Sequence, residues 1–191
     1  MTASGSTAPG DSSAGNRIAG VAVRAVDAIG DVRGALCEIY RDEWAMGPRP
    51  VQWDFIRSKA GVLRGVHVHR LRWDYFILLE GQARIGLTDV RRAGTFRRSM
   101  TIDVDSKRPA IVTVPPGVAH GVFANTALLY LYGLSVAWDG TDEDLGCRYD
   151  DPALGVEWSS TPPFLLQRDL ELPDFDTLVR QYEARTASAS T

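Results

Sequence analysis

The sequence predicts an all-β fold, a sandwich or barrel, followed by one short C-terminal helix. Two observations predict the sheets. Between Gly61 and Tyr132, short runs of β-favouring residues recur, as in Tyr75–Leu79 and Ala110–Val114. Turn residues follow each run, Glu80-Gly81 after the first and Pro115-Pro116-Gly117 after the second, a cadence that suits antiparallel sheets rather than alternating strands and helices. A third observation predicts the helix: Phe175, Leu178, Val179 and Tyr182 fall at helical spacing behind Asp174, which is placed to cap the first turn.

The elements follow in order. Residues 1–16 are Ser, Gly, Ala and Thr for the most part, with no apolar run of the kind a secretory leader needs, and are expected to form a disordered tail. Residues 17–185 form one domain in this reading, and 186–191 a second disordered tail. Val21–Val26 reads as an edge strand and Asp31-Val32-Arg33-Gly34 as a turn, because Asp and Gly supply the backbone angles a reversal requires. Leu128–Tyr132 is a further strand whose period of two places Tyr130 and Tyr132 on one face. Asp139–Asp144 is acidic and turn-like.

Composition narrows the function. The chain has 191 residues, 45% of them apolar, enough for one domain with a sizeable core. A net charge of −3 leaves no basic excess for non-specific contact with nucleic acid. No apolar stretch approaches the roughly 20 residues that cross a bilayer. A cytoplasmic protein without a membrane or nucleic-acid partner is expected. The two cysteines, Cys37 and Cys147, are too few for a disulfide framework and are expected to be reduced.

Chemistry concentrates in the three histidines, all of them in glycine-punctuated strand segments. His67 and His69 alternate with Val66 and Val68, so both imidazoles share one face while the valines pack on the other. His120 closes Pro115-Pro116-Gly117-Val118-Ala119-His120.

The segments Val62-Leu63-Arg64-Gly65-Val66-His67 and Pro116-Gly117-Val118-Ala119-His120-Gly121 resemble two signatures of the dTDP-4-dehydrorhamnose 3,5-epimerase family, within the cupin superfamily. Three further elements resemble it in order: Arg33-Gly34 with Glu38, Tyr149–Pro152 with Gly155 and Trp158, and Arg168-Asp169 with Pro173. The resemblance implies a cupin or jelly-roll β-barrel, a homodimer, and a sugar nucleotide as substrate. It implies no cofactor. It further implies that His67 is the general base, Asp169 the carboxylate that orients it, and Tyr132 the acid that returns a proton to the opposite face. Arg33, Glu38, Gln52, Arg64, His120 and Trp138 fall at substrate-binding positions, the arginines toward the diphosphate and Trp138 toward the thymine ring. A 4-keto group acidifies the neighbouring C–H bonds, so a base of near-neutral pKa suffices to invert those centres.

Two positions depart from the family: His69 stands where glutamine is usual, and Asp74 where a lysine faces the keto oxygen. The same changes give an alternative. His67, His69, Asp74 and His120 resemble the metal-binding motifs of cupins, a ligand set suited to a divalent Fe, Mn, Ni or Zn ion for isomerase, cyclase or oxygenase chemistry. A third reading keeps the sugar-nucleotide pocket without catalysis.

Overall fold

The computed structural model describes residues 17–139 and 145–188. Most of Asp139–Asp144, all of the N-terminal segment 1–16 and residues 189–191 lie outside the described residues. Within them, β-branched and aromatic runs form the predicted sheets. The first has the order β1-β9-β6-β11-β4, with β1 Ala22–Ala25, β4 Gln52–Ser58, β6 Asp74–Glu80, β9 Ala110–Val114 and β11 Leu128–Leu134. The second has the order β12-β5-β10-β7-β8, with β5 Leu63–Val68, β7 Gln82–Asp89, β8 Ser99–Asp105, β10 Val118–Ala124 and β12 Leu145–Gly146. All pairings within these sheets are antiparallel.

The sheets pack face to face as a jelly-roll barrel. One apolar cluster draws Phe76, Leu78, Val112, Val114 and Tyr130 from the first sheet and Ile85, Leu87, Val118 and Val122 from the second. Val21–Val26 becomes β1 at the sheet edge, as its pattern predicts. The Asp31–Gly34 turn joins β2 Ala28–Asp31 to β3 Gly34–Cys37, a two-stranded arm outside both sheets. Gly34 has φ +137° there, a conformation that disfavours any residue with a Cβ.

A second apolar cluster covers the outer face of β5 and β10. Leu63, Val66, Val68, Ala119 and Phe123 meet Trp158 and the helix residues Phe175, Leu178, Val179 and Tyr182. Trp158 lies over Gly86 and Gly121, where a Cβ would come within 2.5 Å and 2.9 Å of its ring. Gly65 is forced by a similar approach: its Cβ would lie 2.7 Å from Gly121 Cα and from the His120 carbonyl oxygen. The glycines around the histidine segments therefore let β5 and β10 close together.

The C-terminal segment is fixed by caps and burial. Asp151 accepts hydrogen bonds from the Ala153 and Phe175 amides, both at 2.8 Å, and Asp174 caps the final helix by accepting from Thr177 at 2.7 Å. That helix, α2, spans Phe175–Ser188. It runs three residues past Arg185, so residues 186–188, expected in the tail, are helical. Ahead of it sits a four-residue helix, α1, Gln167–Leu170, too short to show periodicity in the sequence. Cys37 and Cys147 are both free, as expected.

Phe175 is fully buried and anchors the segment that carries α1. Phe175→Ala is expected to lower unfolding stability by about 3–5 kcal/mol, read as a shift of the urea midpoint.

Candidate active site

Between the sheets, at the end not filled by the apolar cluster, lies a cavity of about 570 Å³. That volume is ordinary for a small-molecule site. From the second sheet come Arg64, His67, His120 and Val122, with His69 just beyond β5; from the first come Ile56, Phe76, Tyr130 and Tyr132. Asp169 on α1 completes the wall. The strand alternation places the imidazoles here, while Val66 and Val68 pack outward against α2.

His67 and Asp169, far apart in the chain, meet directly. The Nε2–H of His67 donates to Asp169 Oδ1 at 2.9 Å. Asp169 is buried, whereas the His67 side chain keeps 30% of its surface. This contact fixes the tautomer, leaving the Nδ1 lone pair as the basic one. A further Asp169 contact, Arg168 Nε at 3.7 Å, is longer and comes from an exposed side chain.

Tyr132 stands on the opposite sheet, where its hydroxyl donates to Asp74 Oδ1 at 2.8 Å. Its ring packs on Phe76 at a centroid distance of 5.1 Å. Burial, then the Asp74 charge, pushes the Tyr132 pKa well above its ordinary value, with Arg72 opposing. Both effects favour the neutral phenol. Tyr130 shares the face, as predicted, and burial pushes its pKa up to about 12.

Asp74 is the hub of a buried polar cluster. Its Oδ2 lies 3.4 Å from His120 Nε2 and 3.7 Å from His69 Nε2. Arg72 donates from Nε to Asp74 Oδ1 at 3.3 Å and from Nη2 to His69 Nε2 at 2.9 Å. His120 donates from Nδ1 to the Val118 carbonyl at 3.0 Å, and burial lowers its pKa to about 4 although the Asp74 charge opposes this. Of the four residues in the metal alternative, the ligand atoms of His69, Asp74 and His120 lie within 4.8 Å of one another. His67 is not among them, its Nε2 being bonded to Asp169. The three acceptors have the chemistry of a metal site, and the Arg72 guanidinium already serves two of them.

The remaining predicted residues divide. Arg64 lines the cavity, held by Ser58 Oγ at 2.9 Å and the Arg57 carbonyl at 3.2 Å. Gln52 and Trp138 pair with each other, the Trp138 amide donating to Gln52 Oε1 at 2.9 Å, but neither lines this cavity. Arg33 and Glu38 sit on and beside the β2–β3 arm, exposed and paired with Asp31 and Arg41; they too are outside the cavity lining. Sequence reasoning missed Arg57, Lys59 and Arg72, all of which line it.

Two opposed sheets enclosing a cavity, with a carboxylate-oriented imidazole on one wall and a neutral phenol on the other, define a proton-transferring enzyme of the jelly-roll class. The family model for dTDP-4-dehydrorhamnose 3,5-epimerase matches residues 16–177, and the chain belongs to that family. It is 26% identical over 155 residues to a dTDP-4-dehydrorhamnose 3,5-epimerase of Sinorhizobium fredii, covering 75% of this chain and 79% of the relative. NovW, a 4-keto-6-deoxy sugar epimerase of Streptomyces spheroides, superposes with a TM-score of 0.77 at 25% identity, over 90% of this chain and 87% of its own. The fold also matches ChmJ, a 3'-monoepimerase of Streptomyces bikiniensis solved with dTDP-quinovose, at a TM-score of 0.78 and 24% identity, covering 90% and 96% of the two chains.

Because Tyr132 and Tyr130 are both held neutral, alkaline titration at 295 nm is expected to show the same absorbance gain up to pH 10.5 in the wild type and in Tyr132→Phe. A smaller gain in the variant would show that Tyr132 ionises in that range.

Proposed function

We propose that the protein inverts C3, C5 or both in a dTDP-linked 4-keto-6-deoxyhexose, by proton abstraction and reprotonation without a cofactor. The observation that carries this reading is the placement of His67, bonded to Asp169, and Tyr132 on facing walls of one cavity. His67 removes the proton beside the ketone through Nδ1, and Asp169 stabilises the imidazolium that forms. Tyr132 delivers a proton from the other side, and the centre inverts. Arg64, with the neighbouring Arg57, Lys59 and Arg168, gives the cavity the positive rim a diphosphate needs. The substrate class is that named for the relatives in this family.

The assembly proposed is a homodimer. Ile29, Val32 and Leu36 on the β2–β3 arm are exposed, as are Trp53 and Phe55 on the edge strand β4. Exposed apolar arms and strand edges are usually covered, and a second copy would cover both. In that assembly Arg33 and Glu38 act at the partner's cavity rather than their own. A cytoplasmic location accompanies this reading; among the described residues no helix is long and apolar enough to cross a membrane.

Incubation with dTDP-4-keto-6-deoxyglucose in deuterium oxide is expected to place deuterium at C3 or C5. Asp169→Asn and His67→Asn should each slow exchange about 10²–10⁴-fold, while Tyr132→Phe should retain exchange and lose inversion. Absence of exchange by the folded wild-type protein contradicts the reading. Gel filtration should return a dimer, and a monomer at micromolar concentration would oppose the assembly.

The convergence of His69, Asp74 and His120 favours one second reading, a divalent ion held by those three. Such an ion would polarise a carbonyl as a Lewis acid. Elemental analysis after purification without chelator separates the two: the epimerase reading expects far less than one ion per chain, and a stoichiometric ion would favour the second.

A further inference from the structure

Removing a proton beside a ketone moves negative charge onto the carbonyl oxygen. A fixed positive group or hydrogen-bond donor aimed at that oxygen in a site shielded from water lowers the cost of the charge. Five cationic side chains line the cavity: Arg57, Lys59, Arg64, Arg72 and Arg168. Four of them, Arg57, Lys59, Arg64 and Arg168, are exposed at its rim. Arg72 alone is held inside, its side chain 11% exposed.

Its position is set by the reacting groups themselves. Arg72 Nε and the Tyr132 hydroxyl both donate to Asp74 Oδ1, at 3.3 Å and 2.8 Å. Asp74 is 2% exposed and comes from the first residue of β6, directly opposite Leu134 and Val114 in the neighbouring strands. A buried carboxylate at a strand start holds a guanidinium rigidly, because breaking the pair would leave an uncompensated charge. His69 accepts the Arg72 Nη2–H at 2.9 Å and fixes the plane of the guanidinium from a second side. Arg72 is thus locked beside Tyr132, at the cavity wall.

Resting on the epimerase reading, we propose that Arg72 is the catalytic residue that stabilises the enolate oxygen, and that Asp74 is a positioning residue for Arg72 and Tyr132. In the step, His67 Nδ1 takes the proton from the carbon beside the ketone. The C–H electron pair becomes the new C=C bond, and the carbonyl π pair moves onto oxygen, where Arg72 meets it. Those electrons return as the carbon takes the Tyr132 proton on the opposite face. The imidazolium then gives its proton to water and the phenolate regains one from water. No oxidant, reductant or further co-reactant is needed.

The test uses the full chain with dTDP-4-keto-6-deoxyglucose, comparing kcat and KM for solvent deuterium incorporation. Arg72→Met is expected to lower kcat about 10²–10³-fold with KM changed only a few-fold. Arg72→Gln, which keeps donors without the charge, provides a second variant if the first fails to fold, with the same expected loss. Arg72→Lys, and the double variant Arg72→Met with Asp74→Lys that moves the cation to the adjacent position, should each exceed Arg72→Met by about 10-fold or more. Wild-type kcat in the charge-free variants, or a loss confined to KM, overturns the assignment of Arg72 while leaving the epimerase reading intact. Failure of both lysine variants to exceed Arg72→Met overturns it as well, since charge would then not be what matters. Exchange lost on chelation and restored by a divalent ion gives the role to the ion instead. No exchange by the wild type removes the epimerase reading and this inference together.

Discussion

The hydrogen bond from His67 to Asp169 is the contact on which the site depends. It joins a strand of the barrel to a short helix near the C-terminus, with most of the fold between them in sequence. A buried carboxylate cannot be left without a partner at low cost, so the pair exists only if the C-terminal segment is held against β5 and β10. The caps at Asp151 and Asp174, the Trp158 ring over two glycines, and the buried face of α2 provide that hold. Stability of the outer cluster and orientation of the His67 ring are therefore one problem.

The two walls of the cavity divide the chemistry by sheet. β5 carries an imidazole whose carboxylate partner lies outside the barrel; β11 carries a phenol whose partner, Asp74, lies inside the same sheet. In the epimerase proposed above, a planar ketone between them would meet a proton acceptor on one face and a proton donor on the other. Asp74 stands where the family's lysine is expected, and the structure pairs that aspartate with Arg72.

Much of this was legible in the residues. Period-two alternation gave the facing of His67, His69, Tyr130 and Tyr132, and the β9 run Ala110–Val114 matches its predicted bounds. Capping chemistry at Asp174 gave the start of α2. Other features were hidden because they depend on tertiary geometry. A four-residue helix such as α1 leaves no periodic trace, so the approach of Asp169 to His67 came from family resemblance alone. The spacing that suggested four metal ligands could not reveal that His67 turns its Nε2 to Asp169, nor that Arg72 reaches His69. Arg33, Glu38, Gln52 and Trp138 lie outside the cavity lining, a matter of tertiary placement that resemblance of short motifs does not settle.

The central claim is that one ketone sits between two walls of opposite proton-transfer role. The most direct measurement is a crystal structure with dTDP-4-keto-6-deoxyglucose, or its 4-deoxy analogue, bound. The account predicts the hexose inside the cavity, with C3 or C5 about 3–3.5 Å from His67 Nδ1, the near-attack spacing, and the Tyr132 hydroxyl over the other face. A hexose lying at the rim with both of its faces turned away from His67 would contradict it.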